Sequence, residues 1–171
     1  MQMVKKVLMI LFIAWFASVL FMPKRNLYYK LEETLAVQGV KINEGKIIEG
    51  LFILEIEDAV IYVKGIDLIH VKALSFFSLF FYSRLELKEI ILDESLSSMA
   101  PTKLEEITFS HFLWSPEHLS VSGRGEFGTF EGDIDLIQRK VHLDLIETAE
   151  LGAVKRLLKE GEKGLYYETS F

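Results

Sequence analysis

Four histidines, His70, His111, His118 and His142, are the side chains of this sequence best placed to bind a metal or shuttle a proton near neutral pH. None stands in His-x-His or His-x-x-x-His spacing, so no pair is set on one strand face or one helix face for a shared ligand. His111 and His118 are too far apart to form such a pair and read as edge or solvated residues. Asp133-x-Asp135 puts two carboxylates on one side of a strand, but without a further ligand cluster they read as its wet face. Gly123-Arg-Gly-Glu-Phe-Gly128 is glycine-rich, yet it fits neither phosphate-loop pattern and leads into a strand rather than a helix. It reads as bulges and a tight turn. There is no Gly-x-Ser-x-Gly and no cysteine, which removes nucleophile elbows, disulfides, thiolate metal sites and Cys nucleophiles. No catalytic, cofactor-binding or metal-binding set remains, and the expectation is a protein that is not an enzyme.

The chemistry left is hydrophobic. Leu74-Ser-Phe-Phe-Ser-Leu-Phe-Phe-Tyr82 crowds large apolar side chains into nine residues. Each one left in water forgoes about 1.5–3 kcal/mol of burial. Three uses are open: a segment buried on both faces, the lining of a groove that accepts an acyl chain, or a segment dipping into a bilayer interface. The candidate groove residues are Phe76, Phe77, Leu79, Phe80, Phe81 and Tyr82.

The elements that position them begin with an anchor. Residues Val7 to Met22 are 16 uncharged residues ending at Pro23, and counting from Val4 with Lys5 and Lys6 snorkelling makes about 19, within the spanning range. A cleaved signal peptide would need small residues where Phe21, Met22 and Pro23 stand. The expectation is an uncleaved signal-anchor over residues 1–25 and an extracytoplasmic β-rich domain over residues 26–171. Basic residues flank both sides of the anchor, so orientation rests on its signal-like layout and short basic N-terminal tail. The first 25 residues hold four bases and no acids, leaving 15 bases against 25 acids in the remainder. A domain so acidic repels polyphosphate, and nucleic acid is not an expected partner.

Beyond the anchor, Leu27, Leu31 and Leu35 recur at helical spacing between a possible Asn26 cap and Gly39. From Val40 the rhythm is that of strands: Lys46–Glu49, Leu51–Glu57, Val60–Lys64 after a break at Asp58-Ala59, Ile66–Val71 and Leu85–Leu92. After a loop over Ser95–Thr102 come Leu104–Trp114, His118–Arg124, Glu126–Leu136 and Lys140–Ile146. Val141, Leu143 and Leu145 alternate with Lys140, His142 and Asp144, as in a strand with one wet face. A helix bearing Leu151, Val154 and Leu158 ends at Gly161, and a closing strand follows over Leu165–Phe171. Short turns between strands indicate an antiparallel meander, either a curved sheet or a β-jellyroll-like one. The fold class expected is mainly β with flanking helices: an N-terminal transmembrane helix, a short helix before the meander and one near the C-terminus.

Several stretches carry a resemblance: Tyr28-Tyr-Lys-Leu-Glu32 with Gly39-Val-Lys-Ile42, the step Gly65–Leu74 leading into Leu85–Leu92, and Ser122–Leu136. Together the chain resembles the type II secretion system protein N family and the wider AsmA-like group of envelope proteins. The resemblance implies a single-pass inner-membrane protein with its C-terminal domain in the periplasm, whose sheet shields lipid on an apolar face. The implied partners are the bilayer and either a lipid ligand or proteins of the envelope and its secretion machines. The alternative role is a scaffold in such a machine with no small-molecule ligand.

Overall fold

The computed structural model describes residues 2–20, 24–79, 81–96, 102–149, 151–161 and 164–171. Two helices come first, α1 (Gln2–Leu20) and α2 (Lys24–Val37). Then follow β1 (Val40–Asn43), β2 (Lys46–Glu49), β3 (Ile53–Val63), β4 (Ile66–Leu79), β5 (Tyr82–Leu92) and β6 (Lys103–Phe112). The chain closes with β7 (His118–Gly125), β8 (Gly128–Asp135), β9 (Lys140–Thr148), β10 (Lys159–Gly161) and β11 (Gly164–Ser170). All eleven strands belong to one antiparallel sheet, in the order β1-β3-β4-β5-β6-β7-β8-β9-β11-β10, with β2 also pairing β3. The architecture is therefore a single antiparallel sheet whose strands follow sequence order from β3 to β9, and strand rhythm with short turns is sufficient to specify such a meander.

Several boundaries differ from the sequence reading. The break expected at Asp58-Ala59 is no break: β3 runs through it because Asp58 adopts a left-handed backbone, φ 54°, and is squeezed out of the in-out alternation. β4 extends eight residues past Val71 and takes in Phe76, Phe77 and Leu79. Near the C-terminus a 3-10 helix, Gly152–Leu157, stands where a longer helix was expected, and Lys159–Gly161 is a strand. Its apolar residues are held by the sheet face rather than by helical propensity, and three residues of that segment pair with β11. Pro23, Phe21 and Met22, which frame the end of the expected anchor, and most of the Ser95–Thr102 loop lie outside the described residues.

One face of the sheet is apolar from β1 and β2 across to β11. On β3 it carries Leu54, Ile56, Ala59 and Ile61; on β4, Ile69, Val71, Leu74 and Phe76; on β5, Leu85, Leu87, Ile90 and Leu92. Each strand reads apolar-x-apolar-x-x-apolar-x-apolar, and the double gap falls at the same height. Pairing runs Glu57–Ala73–Lys88 and then Ala59–Val71–Ile90, so Asp58, Lys72 and Glu89 form one transverse row. Asp58 and Glu89 have φ of 54° and 49°, and Lys72 Nζ donates to both Glu89 carboxylate oxygens at 2.9 and 2.8 Å. On β6 the same height is Glu105, where the pairing with β7 shifts between Leu104 and Glu106. The row re-phases β3, β4 and β5 together, which keeps their apolar face continuous on both sides of it.

Helix α1 carries exposed side chains from Gln2 to Phe16. Among the described residues no helix is long and apolar enough to cross a membrane. Helix α2 instead packs at the β1–β2 margin, where Tyr28 is buried beside Leu54 and Ile56.

Candidate functional site: an apolar sheet face and an aromatic end

The apolar face is packed by two clusters that meet at Leu104 and Ile107. One holds Leu54, Ile56, Ala59, Val71 and Ile90, and the other Val121, Phe130 and Leu145. Among the described residues, those outside the strands that join these clusters are Tyr28 at one margin and Phe127, Leu151, Val154 and Leu158 at the other. Between the margins, Leu85 and Leu87 on β5 and Ile107 and Phe109 on β6 are half-buried. A single-layer sheet with caps only at its margins leaves an apolar strip in the middle.

Glycines shape the far half of this face. Gly123 and Gly125 on β7 stand between Ile107 and Leu104 on one side and Phe130 and Gly128 on the other. A Cβ on Gly123 would lie 2.5 Å from the Phe130 ring and 2.9 Å from the Glu106 carbonyl oxygen. The ring therefore lies flat over bare backbone, stacked with Phe127 at 5.7 Å and 19°. This is what the glycine-rich stretch does: a two-residue turn, Glu126-Phe127, and a floor for two aromatic rings.

The six candidate groove residues do not share one surface. Phe76 pairs with Leu54 and Leu85 on the apolar face. Phe77, Leu79 and Tyr82 fall on the opposite face, because neighbouring residues of a strand alternate. Phe81 lies in the β4–β5 turn and is 51% exposed. Phe80 lies outside the described residues. The last three described aromatics join a chain of rings that the sequence reading missed: Phe77–Tyr82 at 6.2 Å, Tyr82–Phe112 at 4.9 Å, Phe112–Trp114 at 5.0 Å and Phe81–Trp114 at 5.3 Å. Adjacent hairpins bring it together, and only the register of β5 with β6, Tyr82 opposite Phe112, could have revealed it.

Away from this aromatic end, the opposite face is polar and laced with ion pairs. Glu86 accepts from Arg84 at 2.9 Å and Lys88 at 2.6 Å, and the Lys88 hydrogen bond holds its carboxyl below the usual range. Glu168 is lowered likewise by Lys140, 3.1 Å away. His142 lies 3.2 Å from Asp144 and 3.5 Å from Glu168, and His70 lies 3.0 Å from Asp67. Asp133 opposes His142 and Ser120, whereas Asp135 turns its Oδ1 back to accept from the Ile137 and Gln138 N–H groups. His111 and His118 sit at the ends of β6 and β7, His111 near the Pro116 carbonyl at 3.4 Å and His118 near Glu117 at 3.9 Å. A shallow depression on this face is floored by Ser110, Ser120, Ser122 and Gly132. Among the described residues no group of three or more His, Asp or Glu is arranged to hold a metal.

Comparison with known proteins finds no matching family model, no matching curated protein and no matching solved structure.

Proposed function

We propose that this is a non-catalytic single-pass inner-membrane protein whose periplasmic sheet binds or passes lipid, or another hydrophobic component, in envelope biogenesis. The observation that carries this reading is the continuous apolar face, capped at its margins and half-open over β5 and β6. An acyl chain is the ligand that such a strip takes without leaving a polar group unpaired.

Helix α1 supports the anchor. No described helix is by itself long and apolar enough to span, but the sequence run Val4–Met22 has 19 residues and as a helix would reach about 28 Å, close to the roughly 30 Å hydrocarbon thickness. Lys5 and Lys6 in its early turns are long enough to snorkel, and by sequence the apolar run continues through Phe21 and Met22. Apolar residues exposed all round the helix from Met3 to Phe16 suit lipid better than water.

The test is a photoreactive residue at Ile107 or at its neighbour Thr108, which point to opposite faces of β6. In intact membranes the Ile107 probe should crosslink to lipid and the Thr108 probe should not. Lipid adducts absent from Ile107, or equal at both sites, would count decisively against lipid handling. Protein adducts at Ile107 would instead favour the scaffold role.

A further inference from the structure

We infer that one end of the sheet is built to rest on a phospholipid bilayer, so that the strands stand upright with their aromatic turns in the membrane interface. The inference rests on the proposed anchor and adds to it a second, separate membrane contact.

Among the described residues, four hairpin turns and the C-terminus meet at that end, between β2 and β3, β4 and β5, β6 and β7, and β8 and β9, and after β11. Their tips include Phe81, Leu113, Trp114, Leu136, Ile137 and Phe171, which are 51, 66, 68, 48, 79 and 65% exposed. The tips are bonded to one another through the backbone. Leu113 N–H donates to the Phe81 carbonyl at 2.9 Å, Leu136 to Glu117 at 2.9 Å and Phe171 to Arg139 at 3.0 Å. They form a single tied rim, not loose loops. At the opposite end the described turns carry Lys64-Gly65, Asp93 to Ser95 and Glu126. The aromatic tip there, Phe127, is folded in at 7% exposure, although Ile66 is exposed beside Gly65. Tryptophan and phenylalanine with aliphatic neighbours at one level are what a bilayer interface accepts.

The course of α2 selects the bilayer over other apolar partners. Arg25 in its first turn donates Nη2 to the Ile47 carbonyl at 3.2 Å. Ile47 pairs with Ile56, about 10 Å along β3 from its rim end at Ile53. The other end of α2 reaches the far hairpin, where Gly39 accepts from the Lys64 N–H at 2.7 Å. The chain therefore enters the domain on the rim side. Leu20 and Lys24 are four residues apart, a reach of at most about 14 Å, so an anchor ending at Leu20 delivers the rim to the membrane surface. The soluble portion is acidic, so this contact is apolar and does not call for anionic lipid.

The two tryptophans report on the two contacts separately: Trp15 lies in α1 and Trp114 in the rim. The full chain is reconstituted in phosphatidylcholine vesicles, as Trp15→Phe to isolate Trp114 and as Trp114→Phe to isolate Trp15. Vesicles whose lipid is brominated near the top of the acyl chains supply the quencher. Trp114 is expected to emit at shorter wavelength than in water and to lose about twofold of its intensity to brominated lipid. Adding Ile137→Asp should reduce that loss. Quenching of Trp15 with Trp114 emitting as in water would overturn the rim contact and leave the anchor standing. A blue-shifted but unquenched Trp114 would also overturn it, since protein would then be covering the rim. Quenching of neither would remove both.

Discussion

At the scale of single residues, the molecule turns on a few places where a side chain is absent or a charge is held. Gly123 has no side chain because the Phe130 ring occupies the space, and Gly123→Val should destabilise the fold by about 1–3 kcal/mol, read from urea unfolding. Gly123→Ala should cost less, since it places only a Cβ against the Phe130 ring and the Glu106 carbonyl, whereas valine adds two γ carbons. Glu86 makes the opposite kind of contribution. Its pKa is lowered in the folded state, chiefly by the Lys88 hydrogen bond, so its contribution is present above the unfolded value and lost as pH falls through the folded one. Glu86→Gln should lower stability at neutral pH by up to ~1 kcal/mol, because Arg84 and Lys88 are partly solvated. The gap between variant and parent should close on acidification, which thermal unfolding against pH would show. Neither the ring over Gly123 nor the Glu86 pairings could be read from the chain. Both depend on which strands are neighbours.

At the scale of elements, the β3–β4 hairpin is the simplest to test. Lys64 and Gly65 both have positive φ, 52° and 83°, as the tight turn between Val63 and Ile66 requires. Lysine is a poor occupant of the first position, and Lys64→Asn should raise stability by about 0.5–1 kcal/mol, seen as a higher melting temperature. Strand existence was legible for most of the sheet from apolar runs between turn residues, most clearly in β7 and β9, where apolar and polar residues alternate. The re-phasing at Asp58, Lys72 and Glu89 leaves a fainter trace in the sequence. Leu54-x-Ile56-x-x-Ala59-x-Ile61 recurs as Ile69-x-Val71-x-x-Leu74-x-Phe76 and as Leu85-x-Leu87-x-x-Ile90-x-Leu92. A double gap in one strand looks like its end, and only three aligned strands show that it is a shared bulge.

At the scale of the whole molecule, two apolar surfaces meet different needs. In the proposed reading the half-open sheet face takes a hydrophobic guest, while the rim, on whose side α2 begins, takes the bilayer. If both surfaces act by burial and not by charge, membrane association should survive high salt and be lost in detergent, as flotation through a density gradient would report. The short β10 and the interrupted β1–β2 margin also leave little continuous edge for strand-to-strand aggregation, which a single open sheet must otherwise guard against.

The amino-acid sequence determined the β-rich class and antiparallel order, because alternation and turn chemistry are local properties read within one strand. It also determined the lack of cysteine and the concentration of apolar residues in the first 22 and around Phe76–Tyr82. What that aromatic segment does was decided by tertiary structure. Contiguity in sequence groups these residues as one lining, but pairing sends Phe76 to the apolar face and Phe77, Leu79 and Tyr82 to the other, with Phe81 at a turn tip. The physical reason is the two-residue period of a strand, which separates neighbours in sequence and leaves register to choose new ones, here Phe112 and Trp114.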